Sequence, residues 1–115
     1  MSVPRRVIFE LPEVMPSGMV VEEVAALPGP GRPDWPFKAS RFLVPPGATS
    51  EPDHHEVAEL WMVRAGTGIV LSEDKKTEIG PGDSVFFPPW THHHVVSTGA
   101  GPLEVFSLWW PEALS

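Results

Sequence analysis

All five histidines of this chain fall into two tight groups, His54-His55 and His92-His93-His94, and the first group is bracketed by the carboxylates Asp53 and Glu59. Imidazole nitrogens and carboxylate oxygens together form a donor set for a divalent transition-metal ion. The chain has no Cys, which removes thiolate ligands, disulfides and a cysteine nucleophile at once. Any metal must then be held by N and O donors. A single His on a strand is ordinarily a structural residue, but two clusters on strands that can be neighbours point to a site.

Strand geometry narrows the choice, because side chains alternate faces with a period of two. Asp53 and His55 point the same way, and Glu59 joins them if the strand is regular or broken by an even step; His54 then points away. In the second group His92 and His94 share one face and His93 takes the other, so that strand offers either one inward His or two.

The elements that position these residues must be short. Fifteen Pro and ten Gly punctuate the 115 residues, leaving no room for a long amphipathic helix. Between them lie runs rich in Val, Ile, Phe, Trp and Thr, as expected of an all-β sandwich or barrel. Strands are expected near Arg6–Glu10, Met19–Ala25, Phe37–Val44, His54–Arg64, Gly68–Ser72, Lys76–Ile79, Ser84–Phe87, His93–Ser97 and Leu103–Trp109. Turn formers such as Pro45-Pro46-Gly47, Ala65-Gly66 and Gly80-Pro81-Gly82-Asp83 separate them. Leu27–Pro36 reads as an irregular crossing loop, and Glu22–Leu27 as a strand end or a short helical turn. Val85-Phe86-Phe87 and Leu103–Trp110 are apolar at both parities, so their outer faces should pack on a second sheet, a terminal strand or another subunit.

The length suits one domain. A formal charge of −7 disfavours nucleic acid and anionic lipid as partners, and the adjacent basic pairs Arg5-Arg6 and Lys75-Lys76 read as solvated surface. Near the start only a three-residue apolar run, Val7-Ile8-Phe9, precedes an acid, short of a secretory core or a membrane span, so a cytoplasmic location is expected.

Two stretches carry a pattern. Gly47 is followed after five residues by Asp53-His54-His55, then Glu59 after three and Gly66 after six; Gly82 is followed after five by Pro88-Pro89-Trp90, then His93 and Ser97. Together they resemble the two motifs of the cupin superfamily, which are Gly, five residues, His-x-His, three or four residues, Glu, six residues, Gly, and Gly, five residues, Pro-x-Gly, two residues, His, three residues, Asn. Asp53 stands where the family has its first His, Trp90 replaces a turn Gly and Ser97 the closing Asn. The resemblance implies an all-β double-stranded β-helix, a jelly-roll barrel, as one domain over 1–115, with N-terminal strands and a crossing loop over 1–36 and the barrel core over 37–110.

It also implies one metal ion, Fe, Mn, Zn, Co or Ni, held by Asp53, His55, Glu59 and His93. Two other registers stay open. If four residues separate the last His from Glu59, His54 replaces His55 and Pro52 falls on the preceding ligand position. If Asp53 only supports a ligand His by a hydrogen bond, the site is the two-His, one-carboxylate triad typical of non-haem iron oxygenases. Glu59, at the edge of a metal site in an apolar barrel, could alternatively have a raised pKa and act as general acid or base. Trp61, Trp90 and Trp109 are candidates for aromatic walls of a substrate pocket, beside their ordinary role in packing. Arg41 and Arg64 could each bind a substrate carboxylate, although both also suit an exposed surface. The family reading is a metalloenzyme acting on a small organic molecule, of dioxygenase or isomerase/cyclase type; the alternative is a non-catalytic small-molecule or metal-binding module. Small cupins commonly pair, so a homodimer is expected, and a monomeric elution volume at micromolar concentration would count against it.

Overall fold

A computed structural model describes residues 4–26 and 35–110. Among the described residues there are nine strands and no helix: β1 (Glu13–Val14), β2 (Val20–Glu23), β3 (Lys38–Val44), β4 (Ala58–Ala65), β5 (Gly68–Ser72), β6 (Lys75–Ile79), β7 (Ser84–Phe87), β8 (His94–Ser97) and β9 (Leu103–Trp110). They form a six-stranded sheet in the order β1-β2-β3-β9-β4-β7 and a three-stranded sheet in the order β6-β5-β8. Every pairing is antiparallel. This is the jelly-roll arrangement expected. No helix among the described residues is long and apolar enough to cross a membrane.

Alternation along the strands builds the interior. In β9, Leu103, Val105 and Ser107 are buried while Glu104, Phe106 and Leu108 between them are only partly covered. Phe42 and Val44 of β3, Trp61 and Val63 of β4, Val70 of β5, Ile79 of β6, Phe87 of β7 and Val95 of β8 close over them as one cluster. Burial of this kind stabilises by about 25 cal/mol per Å² of apolar surface removed from water. The outer side of the large sheet is partly sealed by the chain's own start. Phe9, bridged to Val24, packs edge-on against Phe106, whereas Phe86 stays 55% exposed beside the ring of Trp110.

Two expectations change, and one open alternative is decided for the strand. Arg6–Glu10 makes one isolated bridge rather than a strand, and a two-residue strand forms at Glu13–Val14 instead. The strand expected to begin at His54 begins at Ala58. Residues 54–57 leave the ladder, with only Asp53 bridged to His93. Glu22 and Glu23 are in β2 rather than a helical turn. The crossing loop expected over Leu27–Pro36 lies, save for its last two residues, outside the described residues.

Gly66 closes the turn between β4 and β5 with φ +80°. A Cβ there would meet the carbonyl of Pro102 and lie 2.8 Å from the Cα of Leu103, so the position excludes a side chain on two grounds. Gly47 has φ +77° but open space around it. Gly66→Ala should therefore cost about 2–4 kcal/mol, against about 1 kcal/mol for Gly47→Ala, in denaturant unfolding. Equal costs for the two would show that the contact with Pro102 is not constraining.

Candidate metal centre

The site forms where the two sheets meet. Glu59 projects inward from β4, next to Trp61 on the same face. The segment that follows β3 runs antiparallel to β8: Gly47 N–H donates to Ser97 O, Ser50 N–H to Val95 O, and Asp53 and His93 exchange both backbone hydrogen bonds at 2.9 and 3.0 Å. That exchange places Asp53 directly opposite His93. Past Asp53 the chain turns, and Trp90 N–H donates to His55 O at 2.7 Å, tying His55 to the turn before β8. The even step expected between Asp53, His55 and Glu59 is thus produced by an irregular bend, not by one regular strand.

Asp53, His55, Glu59 and His93 each offer one ligand atom, all within 4.8 Å of one another. Nε2 of His55 lies 3.2 Å from Oδ2 of Asp53 and 3.2 Å from Oε1 of Glu59; Nε2 of His93 lies 3.0 Å from Oε1 of Glu59 and 3.9 Å from Oδ2 of Asp53. The opposite nitrogens are spoken for, with Nδ1 of His93 2.9 Å from Thr91 O and Nδ1 of His55 3.2 Å from Val57 O. A carbonyl only accepts, so each neutral ring carries its proton on Nδ1. Both Nε2 lone pairs then face carboxylate oxygens. Lone pairs opposed at this distance repel unless a proton or a metal ion lies between them, and Nε2 of His93 is buried without a hydrogen bond of acceptable geometry.

Glu59 is presented to this cluster by one oxygen only. Its Oε2 accepts from Trp61 Nε1–H at 2.8 Å and from the hydroxyl of Ser107, which leaves Oε1 for the two imidazoles. The residue is 5% exposed. Burial works to raise its carboxyl, but hydrogen bonds from His93, Ser107 and Trp61 and the charge of His93 outweigh it and hold the group below its ordinary value. Burial likewise works to lower His93, and the nearby Glu59 carboxylate, the Thr91 carbonyl and the charge of Asp53 overcome it and raise the imidazole above its ordinary value. The raised pKa expected for Glu59 is corrected: in the metal-free site its carboxyl is held below the ordinary value, and a carboxylate with one oxygen held by Trp61 and Ser107 suits a ligand. The His93 ring is fixed by stacking on Phe87 at 4.0 Å and by the edge of Trp61 at 5.3 Å.

The remaining candidates divide. Trp61 and Trp109 line a cavity of about 610 Å³ into which the four ligand residues open. Trp90 does not line it. It is 60% exposed and adopts φ +64°, the left-handed conformation that a Gly at this motif position takes without strain. What the turn uses is its backbone N–H. Arg41 is also outside the cavity, because β3 parity turns it outward to pair with Glu22 at 2.8 Å and to lie over the Phe9 ring. Arg64 pairs with Glu104. His54, the alternative ligand, faces away and stacks on His92 at 3.7 Å. Ser107 was not anticipated; a lone Ser among the otherwise apolar positions of its parity in Leu103–Trp110 was the signal for it.

The donor set fits a divalent ion. Two imidazoles aimed by their Nε2 atoms and two carboxylates would balance its charge. The Cupin domain family matches residues 40–110, more than half of the chain, and the chain belongs to that family. The mannose-1-phosphate guanylyltransferase of Escherichia coli is 37% identical over 73 residues, which are 63% of this chain but only 16% of that protein. The chain thus spans about a sixth of the length of that curated relative. Among solved structures, the plu4264 protein from Photorhabdus luminescens superposes with a TM-score of 0.76 at 23% identity, covering 97% of this chain and 90% of that one. A cupin 2 domain-containing protein from Halorhodospira halophila gives 0.69 at 28% identity, covering 81% and 64%.

If a cation resolves the clash of acceptors, Mn(II), Co(II) or Zn(II) at a hundredfold excess over its Kd should stabilise the protein by about 2.7 kcal/mol. That corresponds to a rise in Tm of roughly 10 °C. His93→Ala should abolish the rise, and Ser107→Ala should weaken affinity about tenfold by freeing Glu59 to turn. Affinity should fall about tenfold per pH unit below the raised pKa of His93, because the ion must displace its proton. In the metal-free protein, stability from the raised His93 is present below 6.5 and lost as pH climbs through its folded value; that from the depressed Glu59 is present above 4.5 and lost as pH falls through its folded value. Equal metal-induced shifts for wild type and His93→Ala in thermal melts would dismiss the site.

Proposed function

We propose that this chain is a metal-dependent enzyme that transforms a small organic molecule held in the barrel cavity, with Fe, Mn, Zn, Co or Ni bound by Asp53, His55, Glu59 and His93. The observation that carries the reading is placement: the four ligand residues lie in the wall of the 610 Å³ cavity rather than in a sealed pocket. A purely structural ion is enclosed by protein donors, whereas a catalytic one keeps a side open to substrate. A cavity of this size matches small-molecule sites.

When bound, the ion supplies a Lewis acid or, if redox-active, a centre for dioxygen chemistry. The chain's own contribution is orientation. Val57 and Thr91 carbonyls set the imidazole tautomers, and Trp61 and Ser107 hold Glu59 to a single ligand oxygen. Asp53 is the most exposed of the four. Its Oδ1 accepts from His54 N–H, which leaves Oδ2, the oxygen facing His55 and His93, for the ion. Met15, Met19, Val21 and Phe42 line the cavity beside the site and would exclude water from an apolar substrate body.

The test is a metabolite-extract screen against protein loaded separately with Fe(II) and Zn(II), followed by product detection by mass spectrometry. Oxygen uptake with Fe(II) alone identifies the dioxygenase, and turnover retained with Zn(II) identifies the isomerase or cyclase. Ligands that bind tightly yet are recovered unchanged with every metal would refute catalysis and leave a binding module.

A further inference from the structure

Three exposed rings meet on the outer surface. His54 and His92 stack face to face, with centroids 3.7 Å apart and planes 7° from parallel, and Trp90 packs on His54 at 5.3 Å. All three side chains are exposed, so burial in the core does not account for them. Trp90 is the least expected of the three. It holds φ +64°, a conformation that strains a Trp and that Gly takes freely.

The register explains the meeting. Asp53 and His93 exchange both backbone hydrogen bonds, so one residue further His54 comes opposite His92, in the closely spaced position of an antiparallel pair and with both side chains on the outer face. His92 is also fixed from another element: its carbonyl accepts from the Ser72 hydroxyl at 2.8 Å, and its N–H donates to Oε1 of Glu73 at 3.1 Å. The bend at 54–57 has less support. Among the described residues, a single backbone hydrogen bond, from Trp90 N–H to His55 O at 2.7 Å, ties it to another segment. The contact of His55 Nδ1 with Val57 O closes within the bend itself. His55 therefore keeps its place only as firmly as the bend is held, and the ring contacts of His54 supply the second tie.

Resting on the metal-dependent reading above, we propose that Trp90 and His54 are positioning residues for the metal: their rings clamp the 54–57 bend to the anchored His92 from outside and so aim Nε2 of His55 at the ion. Clamp and ligands are made by alternate residues of the same two segments, Asp53 and His55 inward with His54 outward between them, and His93 inward with His92 outward before it. Trp90 then has two tasks. Its N–H closes the turn on His55 O, as that of a Gly would; its ring does what a Gly cannot, which accounts for a strained and exposed Trp at this position.

Calorimetry with Co(II) on the full chain tests the clamp. Trp90→Gly keeps the N–H and relieves the backbone while removing the ring, so it should weaken Co(II) binding about tenfold without lowering the Tm of the metal-free protein. A Trp that served stability alone would lower the Tm and leave the affinity. His54→Ala should match Trp90→Gly, whereas Trp90→Phe and His54→Phe, which keep a ring, should bind as wild type does. Because the clamp acts through His55, adding Trp90→Gly to His55→Ala should cost no further affinity. A metal-free readout stands beside these: hydrogen exchange of the Trp90 amide that donates to His55 O should quicken about tenfold in His54→Ala and recover in His54→Phe. Unchanged Co(II) affinity in Trp90→Gly, a loss that persists in the His55→Ala background, or no recovery with His54→Phe would overturn the proposal. Failure of Co(II) to bind the wild-type chain would instead strike the metal-dependent reading, and the exchange rates would still decide whether the rings hold the bend.

Discussion

Four electron-rich atoms are pressed together in this barrel with nothing of opposite charge built in to separate them. Oε1 of Glu59 stands 3.0 and 3.2 Å from two imidazole nitrogens whose partner nitrogens already face carbonyls. Protonating one ring relieves part of the repulsion, which is why the Glu59 and His93 titrations move apart. A divalent ion would relieve all of it. The rest of the structure reads as the means of holding that arrangement against its own repulsion.

The holding is done mostly by backbone and aromatic contacts. The reciprocal Asp53–His93 hydrogen bonds join the segment after β3 to β8, so two ligands arrive as one cross-strand pair. The third, His55, sits on an irregular bend that depends on the N–H of Trp90, and that N–H is aimed by a left-handed residue. Phe87 and Trp61 clamp the His93 ring from the core side. Core packing and ligand positioning therefore share residues, and Trp61 serves both by packing its ring and donating its N–H to Glu59.

Much of this was legible in the sequence for a physical reason: ligand chemistry uses few residue types, and those types were clustered at spacings that a period of two can interpret. Asp53, His55 and Glu59 could be placed on one side in this way and His54 on the other, while His93 was singled out from His92 and His94 by the motif resemblance. The parity argument reached the right grouping through a wrong intermediate, since 54–57 is a bend. Arg41 and Trp90 were misplaced because residue type says what a side chain could bind but not where the strand turns it; Arg41 falls on the outer parity of β3, and Trp90 matters through its backbone. Glu59 misled in another way. Burial alone would raise its pKa, and the donors that reverse the sign come from Trp61 on its own strand and from Ser107, 48 residues away in the chain, a pairing visible only once β4 and β9 are in register. At the start of the chain the apolar run at Val7-Ile8-Phe9 suggested a strand, but it makes only an isolated bridge at Phe9 beside side-chain contacts with Phe106 and Arg41.

A fold shared at 23% identity with the plu4264 protein transmits geometry without transmitting the chemistry of the site. The central claim is simpler than the substrate and can be checked alone. Crystals of protein purified without chelator or metal-affinity resin, measured on both sides of transition-metal absorption edges, should show one anomalous peak about 2.0–2.3 Å from Nε2 of His55, Nε2 of His93 and Oε1 of Glu59. No peak there after soaking in Mn(II), Fe(II) and Zn(II), or a peak only at the outward pair His54 and His92, would contradict the account.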